Sequence, residues 1–213
     1  TPSGAERPNV IVIQLESFFD PNQLTEYTYS KNPVPNFERL KKQCPSGYLT
    51  VPAVGAGTAN TEFEVLTGMS LDYFGTCEYP YKTVLKNTPT ESLCTNLSPY
   101  GYSTHAIHNN TGTFYDRHIV YPCLGFDTFT PLEYMTNIQY NSIGWAKDSI
   151  LTGEIIKALD STPGRDFVFT VSVQAHGKYP RDKNRSRIFV SGGEDTGLTN
   201  AVEYYVNQVS EVD

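Results

Sequence analysis

Two short apolar runs constrain this chain more than any other feature. Asn9 to Ser17 reads NVIVIQLES, and Arg165 to Gln174 reads RDFVFTVSVQ. Each is nearly continuous in β-branched or aromatic residues and turns polar at its carboxyl end. A strand apolar on both faces belongs in a sheet covered by helices on both sides, which is the situation of parallel sheets. Both runs therefore read as buried strands, the first as a central one. Ligands in open α/β sheets bind outside the carboxyl ends of the strands. That places Glu16, at the polar end of the first run, where chemistry is done.

The segments between these runs supply helices. Asn36 to Gln43 is a short amphipathic helix with Asn36 as its N-cap. Gly47 to Val54 is a strand candidate, followed by Gly55-Ala56-Gly57 and a helix that starts near Thr58 and stops at Gly68. Glu91 to Pro99 suggests a short helix, Gly101 to His108 a strand, Phe114 to Tyr121 a helix or turn, and Gly144 to Leu159 a helix. Val202, Val206, Val209 and Val212 fall at helical spacing in the last segment. Alternating strands and helices predict an α/β fold: a three-layer α/β/α sandwich around a mostly parallel sheet.

Composition narrows the class. The length of 213 residues suits one domain, read here as residues 9–213 after a linker at 1–8. Hydrophobic content of 38% with 18% charged residues marks a globular chain rather than a disordered one. The net charge of −7 gives no basic excess to neutralise a phosphate backbone, so nucleic acid is not the expected partner. No apolar run is long enough to span a bilayer, and no signal peptide opens the sequence, so a targeting segment is expected upstream. Cys44, Cys77, Cys94 and Cys123 form no C-x-x-C pair, which argues against structural zinc. Two disulfides in any of three pairings, or four free thiols, both fit.

Four groups of residues carry candidate chemistry. Glu16 can ligate a metal or act as a base. In Gly55-Ala56-Gly57-Thr58 the glycines let backbone approach a ligand, and the following helix N-terminus favours an anion. A Thr58 hydroxyl there can attack a phosphate or sulfate ester; alternatively Thr58, Asn60 or Thr61 simply caps the helix. No Lys follows the second glycine, so the turn is not a P-loop. His108 to Arg117 (HNNTGTFYDR) offers an imidazole, the Tyr115 ring and a guanidinium suited to anions. His176, in QAHGKY, follows the second strong strand. His105 and His118 read as bystanders.

Taken together, NVIVIQLESF, GAGTANTEFEVLTG, HNNTGTFYDR and TVSVQAHGKYP resemble the sulfatase-like branch of the alkaline phosphatase superfamily, most closely the lipoteichoic acid synthase group. The resemblance implies an alkaline phosphatase-like fold and a Thr58 nucleophile. It implies Glu16 and Thr58 as ligands of one divalent ion, Mn²⁺ first, with Mg²⁺ or Zn²⁺ as alternatives. His108, Tyr115, Arg117 and His176 would hold the substrate phosphate or its glycerol head group. Tyr115 stands where such enzymes often carry Trp, and Asp116 where Asn is more usual. The activity implied is transfer or hydrolysis of phospholipid head-group phosphate esters at the outer face of a bacterial membrane, with a phospholipid or cell-wall polymer as substrate. The membrane anchor would lie outside this chain. A phosphodiesterase or phosphoethanolamine transferase is an alternative of the same fold. A sulfatase is less favoured, because no C/S-x-P-x-R stretch occurs at Gly57 to Phe63. The family completes its metal site with an Asp-His pair, and no Asp-His dipeptide occurs here. The expectation is therefore a partial catalytic domain without its C-terminal strands, binding metal weakly and inactive alone, with an exposed sheet edge that favours self-association. A non-catalytic module that recognises a wall polymer or lipid head group is the alternative from another class.

Overall fold

The computed structural model describes residues 7–53 and 56–213. Its strands are β1 (Val10–Gln14), β2 (Tyr27–Tyr29), β3 (Tyr102–His108), β4 (Thr128–Pro131), β5 (Arg165–Val171) and β6 (Val190–Gly192). Its helices are α1 (Pro35–Gln43), α2 (Thr58–Thr67), α3 (Leu93–Leu97), α4 (Arg117–Cys123), α5 (Ser149–Asp160) and α6 (Thr196–Val212). The chain forms two compact units. The first takes the residues up to Gln14, Thr50–Gln139 and Lys147–Ser172; the second takes Leu15–Leu49, Tyr140–Ala146 and Val173–Asp213.

The first unit is built on a four-stranded parallel sheet in the order β1-β5-β3-β4. Strand periodicity sends alternate residues to opposite faces. Val10, Val12, Tyr102, Ala106, Phe167, Phe169 and Val171 meet Ala59, Phe63 and Leu66 of α2 and Val120 and Tyr121 of α4 on one face. Ile107 and Val168 meet Leu151 and Ile155 of α5 on the other. Helices thus cover both faces, as the alternation of elements predicts.

The sequence predicts a central β1, yet among the described residues β1 pairs with β5 alone and ends the strand order. It is β5 that lies inside, between β1 and β3. The face of β1 opposite Val10 and Val12 carries Ile11 and Ile13, which are 45% and 51% exposed. Helix α5 packs on β5 and β3, so it does not cover them. An apolar run states that a strand can be buried; which helix reaches it is a tertiary matter.

The second unit pairs β2 with β6 in an antiparallel ribbon and packs α6 through Tyr205, Val206 and Val209 against Val34, Ala175 and Ile188. Its α1 begins one residue earlier than expected, with Pro35 at its first position and no side-chain cap at Val34. Proline is preorganised for that position. Asn36 is not the cap: its backbone N–H and that of Phe37 donate to the Asp213 carboxylate at 3.0 and 2.7 Å. A negative charge at a helix N-terminus is stabilising, and here it ties α1 to the end of α6.

Residues 47–53 form no strand, because nothing in the described residues offers them a ladder; Tyr48 is 98% exposed. Val54 lies outside the described residues. The helix expected over Gly144 to Leu159 starts only at Ser149, since Tyr140 and Ala146 form a β-bridge first.

Candidate functional site

Helix α2 begins where the sequence places it. Gly57 occupies the N-cap with φ 95° and ψ 34°, a left-handed conformation natural to glycine. A Cβ there would stand 3.2 Å from the Tyr79 hydroxyl. Gly55 of the same turn lies outside the described residues. Thr58 is the first helical residue, half-buried, and its carbonyl accepts from Gln14 Nε2 at 3.4 Å, so the N-terminus of α2 lies by the carboxyl end of β1. No side chain caps this helix. The capping alternative for Thr58, Asn60 or Thr61 is therefore not what the structure shows; Asn60 instead donates to the Glu78 carbonyl at 3.2 Å. Gly68, φ 70°, ends the helix as expected.

One turn after Thr58 on the same face stands Glu62, fully buried and not among the residues the sequence singles out. Its carboxylate accepts from both sides of the Arg117 guanidinium: Nε donates to Oε2 at 3.1 Å and Nη2 to Oε1. The hydroxyls of Tyr81 and Tyr121 donate to Oε2 at 3.1 and 2.9 Å. Burial alone would raise the Glu62 pKa, but the Arg117 charge and its hydrogen bonds hold it below the usual carboxylate value. Burial and the Glu62 charge push both tyrosines well above theirs. A sequence signal did exist. Glu62 lies three residues after Ala59 and four before Leu66, inside the apolar stripe Ala59-Phe63-Leu66 that α2 buries.

The resemblance implies that Arg117 meets a substrate anion. In the structure Arg117 is 1% exposed, its guanidinium is paired with Glu62, and Nη1 donates to the Phe114 carbonyl at 3.1 Å.

The residues before it are strained. Tyr115 and Asp116 both adopt left-handed backbone, φ 56° and 55°. Non-glycine residues there cost energy, and such corners concentrate at functional sites. The Tyr115 ring stacks on Tyr79 at 6.2 Å between centroids, with Lys82 over both rings. Asp116 pairs with Lys86 at 2.8 Å.

His108 ends β3 and is 2% exposed. Its Nδ1 lies 2.9 Å from the Val171 carbonyl, which can only accept, so Nδ1 carries the proton. Nε2 is then a bare lone pair, buried and without a hydrogen-bond partner among the described residues. Burial, helped by the nearby Arg117 charge, lowers the His108 pKa to about 3, which keeps the ring neutral. Of the two bystanders, His105 is buried between Thr128 (2.7 Å) and Asp166 (3.1 Å), while His118 is exposed and bonds the Gly112 carbonyl at 3.0 Å.

The remaining expected residues belong to the second unit. His176 is half-buried, with Nδ1 2.7 Å from the Gly177 carbonyl and its ring 4.7 Å from that of Trp145. Glu16 is half-buried and accepts from the Ser17 hydroxyl at 3.5 Å; burial and its charge push the Tyr179 hydroxyl up to about 12. The first unit thus gathers Thr58, His108, Tyr115 and Arg117 around Glu62, and the second holds Glu16 and His176. Among the described residues no three His, Cys, Asp or Glu side chains form a metal-ligating group. Glu16 and Thr58 offer hard oxygen donors, but two donors do not make a divalent-ion site. Among the described residues no helix is long and apolar enough to cross a membrane. All four cysteines are free thiols, with Cys44 and Cys77 exposed and Cys94 buried.

Residues 8–213 match the protein family described as Sulfatase. The chain is 35% identical over 208 residues to a Rhizobium meliloti (strain 1021) protein assigned to cyclic beta-1,2-glucan modification, covering 97% of this chain and 32% of that protein. The phosphoglycerol transferase GacH of Streptococcus pyogenes superposes on 96% of this chain, over 55% of its own length, with TM-score 0.76 and 22% identity. The lipoteichoic acid synthase LtaP of Listeria monocytogenes matches 96% of this chain and 50% of its own, with TM-score 0.69 and 22% identity. These likenesses establish the α/β fold expected from the resemblance. The chain spans about a third of the length of the curated relatives it matches.

Proposed function

Because this chain belongs to the Sulfatase family, we propose that it is the nucleophile-bearing part of an extracytoplasmic phosphotransferase that moves a phospho-alcohol group, glycerol phosphate first, from a phospholipid to an acceptor hydroxyl. The observation that carries the reading is Thr58, the first residue of a helix with no side-chain cap, next to the end of β1. The uncapped amides and helix dipole there favour the equatorial oxygens of a phosphoryl group. The Thr58 hydroxyl attacks phosphorus and a Thr58 Oγ–P bond forms. The P–O bond to diacylglycerol breaks, and the proton of the hydroxyl goes to the departing alkoxide. An acceptor hydroxyl then reverses the sequence, giving up its proton as Thr58 leaves. Neutral His108 accepts a hydrogen bond at Nε2 from a head-group hydroxyl. Tyr115 and His176 border the head group, and Arg117 acts through the Phe114–Asp116 corner. The relative assigned to glucan modification favours a glycan as acceptor.

Glu16 and Thr58 are proposed as two ligands of a divalent ion, Mn²⁺ by preference. When bound it would offset developing negative charge on the phosphoryl oxygens. The test is to incubate the protein with phosphatidylglycerol vesicles and to look by mass spectrometry for a glycerol phosphate adduct. An adduct on Thr58, absent in Thr58→Ala, supports the reading, whereas an adduct elsewhere refutes it. The absence of an Asp-His dipeptide favours a second reading, a non-catalytic module for a glycan or lipid head group. Vesicle or glycan binding that survives Glu16→Ala, with no adduct at Thr58, would favour that one.

A further inference from the structure

The feature that the proposed mechanism leaves unused is the buried carboxylate of Glu62. It is fully buried and accepts from Arg117, Tyr81 and Tyr121. We infer that Glu62 is a positioning residue that couples the helix bearing the nucleophile to the corner bearing Tyr115. The inference rests on the reading of Thr58 as nucleophile and adds a residue that reading does not name.

Three observations carry it. Thr58 and Glu62 are one helical turn apart on one face of α2, so a force on the Glu62 side chain is applied directly beneath the nucleophile. The carboxylate is held from three directions, by Arg117 at the start of α4, by Tyr81 of the Pro80–Lys82 turn and by Tyr121 of α4. Finally, Arg117 immediately follows the two left-handed residues Tyr115 and Asp116 and holds the Phe114 carbonyl ahead of them. A strained corner persists only where its surroundings over-determine it, and the Glu62–Arg117 pair is what does so here. Tyr79 closes the loop: its ring stacks on Tyr115 while its hydroxyl stands over Gly57. The distance between the nucleophile and the Tyr115 ring is thereby set by one carboxylate, which touches neither.

Apolar packing alone would have been a simpler way to fill this space. A buried pair that could be replaced by hydrocarbon at little cost suggests a task other than stability. Here that task is geometric, since a bidentate pair fixes both distance and angle where packed methyl groups fix only distance.

The test compares wild type with Glu62→Gln, which keeps the shape and one acceptor oxygen but not the charge, and with Glu62→Asp, which keeps the charge one methylene short. Diacylglycerol release from phosphatidylglycerol vesicles gives kcat and KM; hydrogen exchange follows α2 and the Phe114–Arg117 corner. The expectation for Glu62→Gln is a fall in kcat of about 100-fold with KM nearly unchanged, because a displaced nucleophile costs reaction and not binding. Exchange should quicken at both α2 and the corner while β3 stays protected. Glu62→Asp should recover part of kcat, and it keeps the test informative should Glu62→Gln not fold. A folded Glu62→Gln variant with wild-type kcat, or one whose loss is all in KM, overturns the inference. If wild type itself releases no diacylglycerol, as expected of this chain without the Asp-His pair, the kinetic comparison falls away. The exchange data then decide the coupling alone: joint loosening of helix and corner supports it, and unchanged exchange at either overturns it.

Discussion

His108 makes a quantitative prediction about acid stability. In the folded protein its ring is buried against Val171 with a pKa lowered to about 3, burial being the main cause and Arg117 the second. In the unfolded chain it titrates at its ordinary value near 6.5. The folded-state pKa is depressed, so below about 6.5 the unfolded chain binds a proton that the folded one refuses. The contribution is fully present above the unfolded value and is lost as pH falls from there towards about 3. Each unit of that interval is worth about 1.4 kcal/mol, so lowering the pH from about 8 to about 5 should cost about 2 kcal/mol through this one residue. The assay is urea unfolding of wild type and His108→Gln across that range. Other histidines and the carboxylates are common to both proteins and drop out of the difference. The wild-type curve should fall more steeply, the gap between the two changing by about 2 kcal/mol over the interval. Parallel curves would mean that His108 protonates in the folded state, and the assignment of a neutral ring with a bare Nε2 would be wrong.

Three further outcomes follow from the packing. Cys44 and Cys77 should react with iodoacetamide in the native protein, while Cys94, whose thiol burial pushes up to about 12, should react only after unfolding; mass mapping of the labels checks this, and any native disulfide would contradict it. Phe169→Ala should cost about 3–5 kcal/mol, because the ring is fully buried between β1 and β3 neighbours and its removal leaves a cavity; chemical denaturation measures it. Asp213→Ala should cost about 1 kcal/mol by leaving the amides of Asn36 and Phe37 without their acceptor, and should quicken exchange at the start of α1.

The sheet and the glycine turn that opens α2 were legible in the sequence for related reasons. β5 is a short run with strands on both sides, so its apolar character is dictated locally, whereas β3, YSTHAIH, is legible by its alternation. Gly57, Thr58 and Gly68 announce their helix by backbone chemistry that does not depend on neighbours. β4 was not legible, because TFTP is four residues long and ends in proline, as an edge strand can. The position of β1 was misread because apolar sequence does not say where α5 will lie. At the site, Thr58 and His108 stand at ends of elements, where position can be read from the run that precedes them. The partner of Arg117 could not be read in that way. Glu62 lies 55 residues from Arg117 along the chain, and only the fold reveals that the two charges cancel.

The parallel order of the sheet also sets a timetable for its assembly. β1 is synthesised well before its ladder partner β5, with Val10 opposite Phe167. β3 and β4 lie close in sequence and can pair while the remainder is still being made. Until β5 appears, the run Val10-Ile11-Val12-Ile13 lacks the strand it pairs with in the structure, and it is a short, uncharged, β-branched segment of the kind that joins other chains edge to edge. The interval between making β1 and making β5 is therefore the period in which a nascent chain most needs protection from its neighbours, and slowing synthesis between them should lower the yield of folded protein more than slowing it after β5.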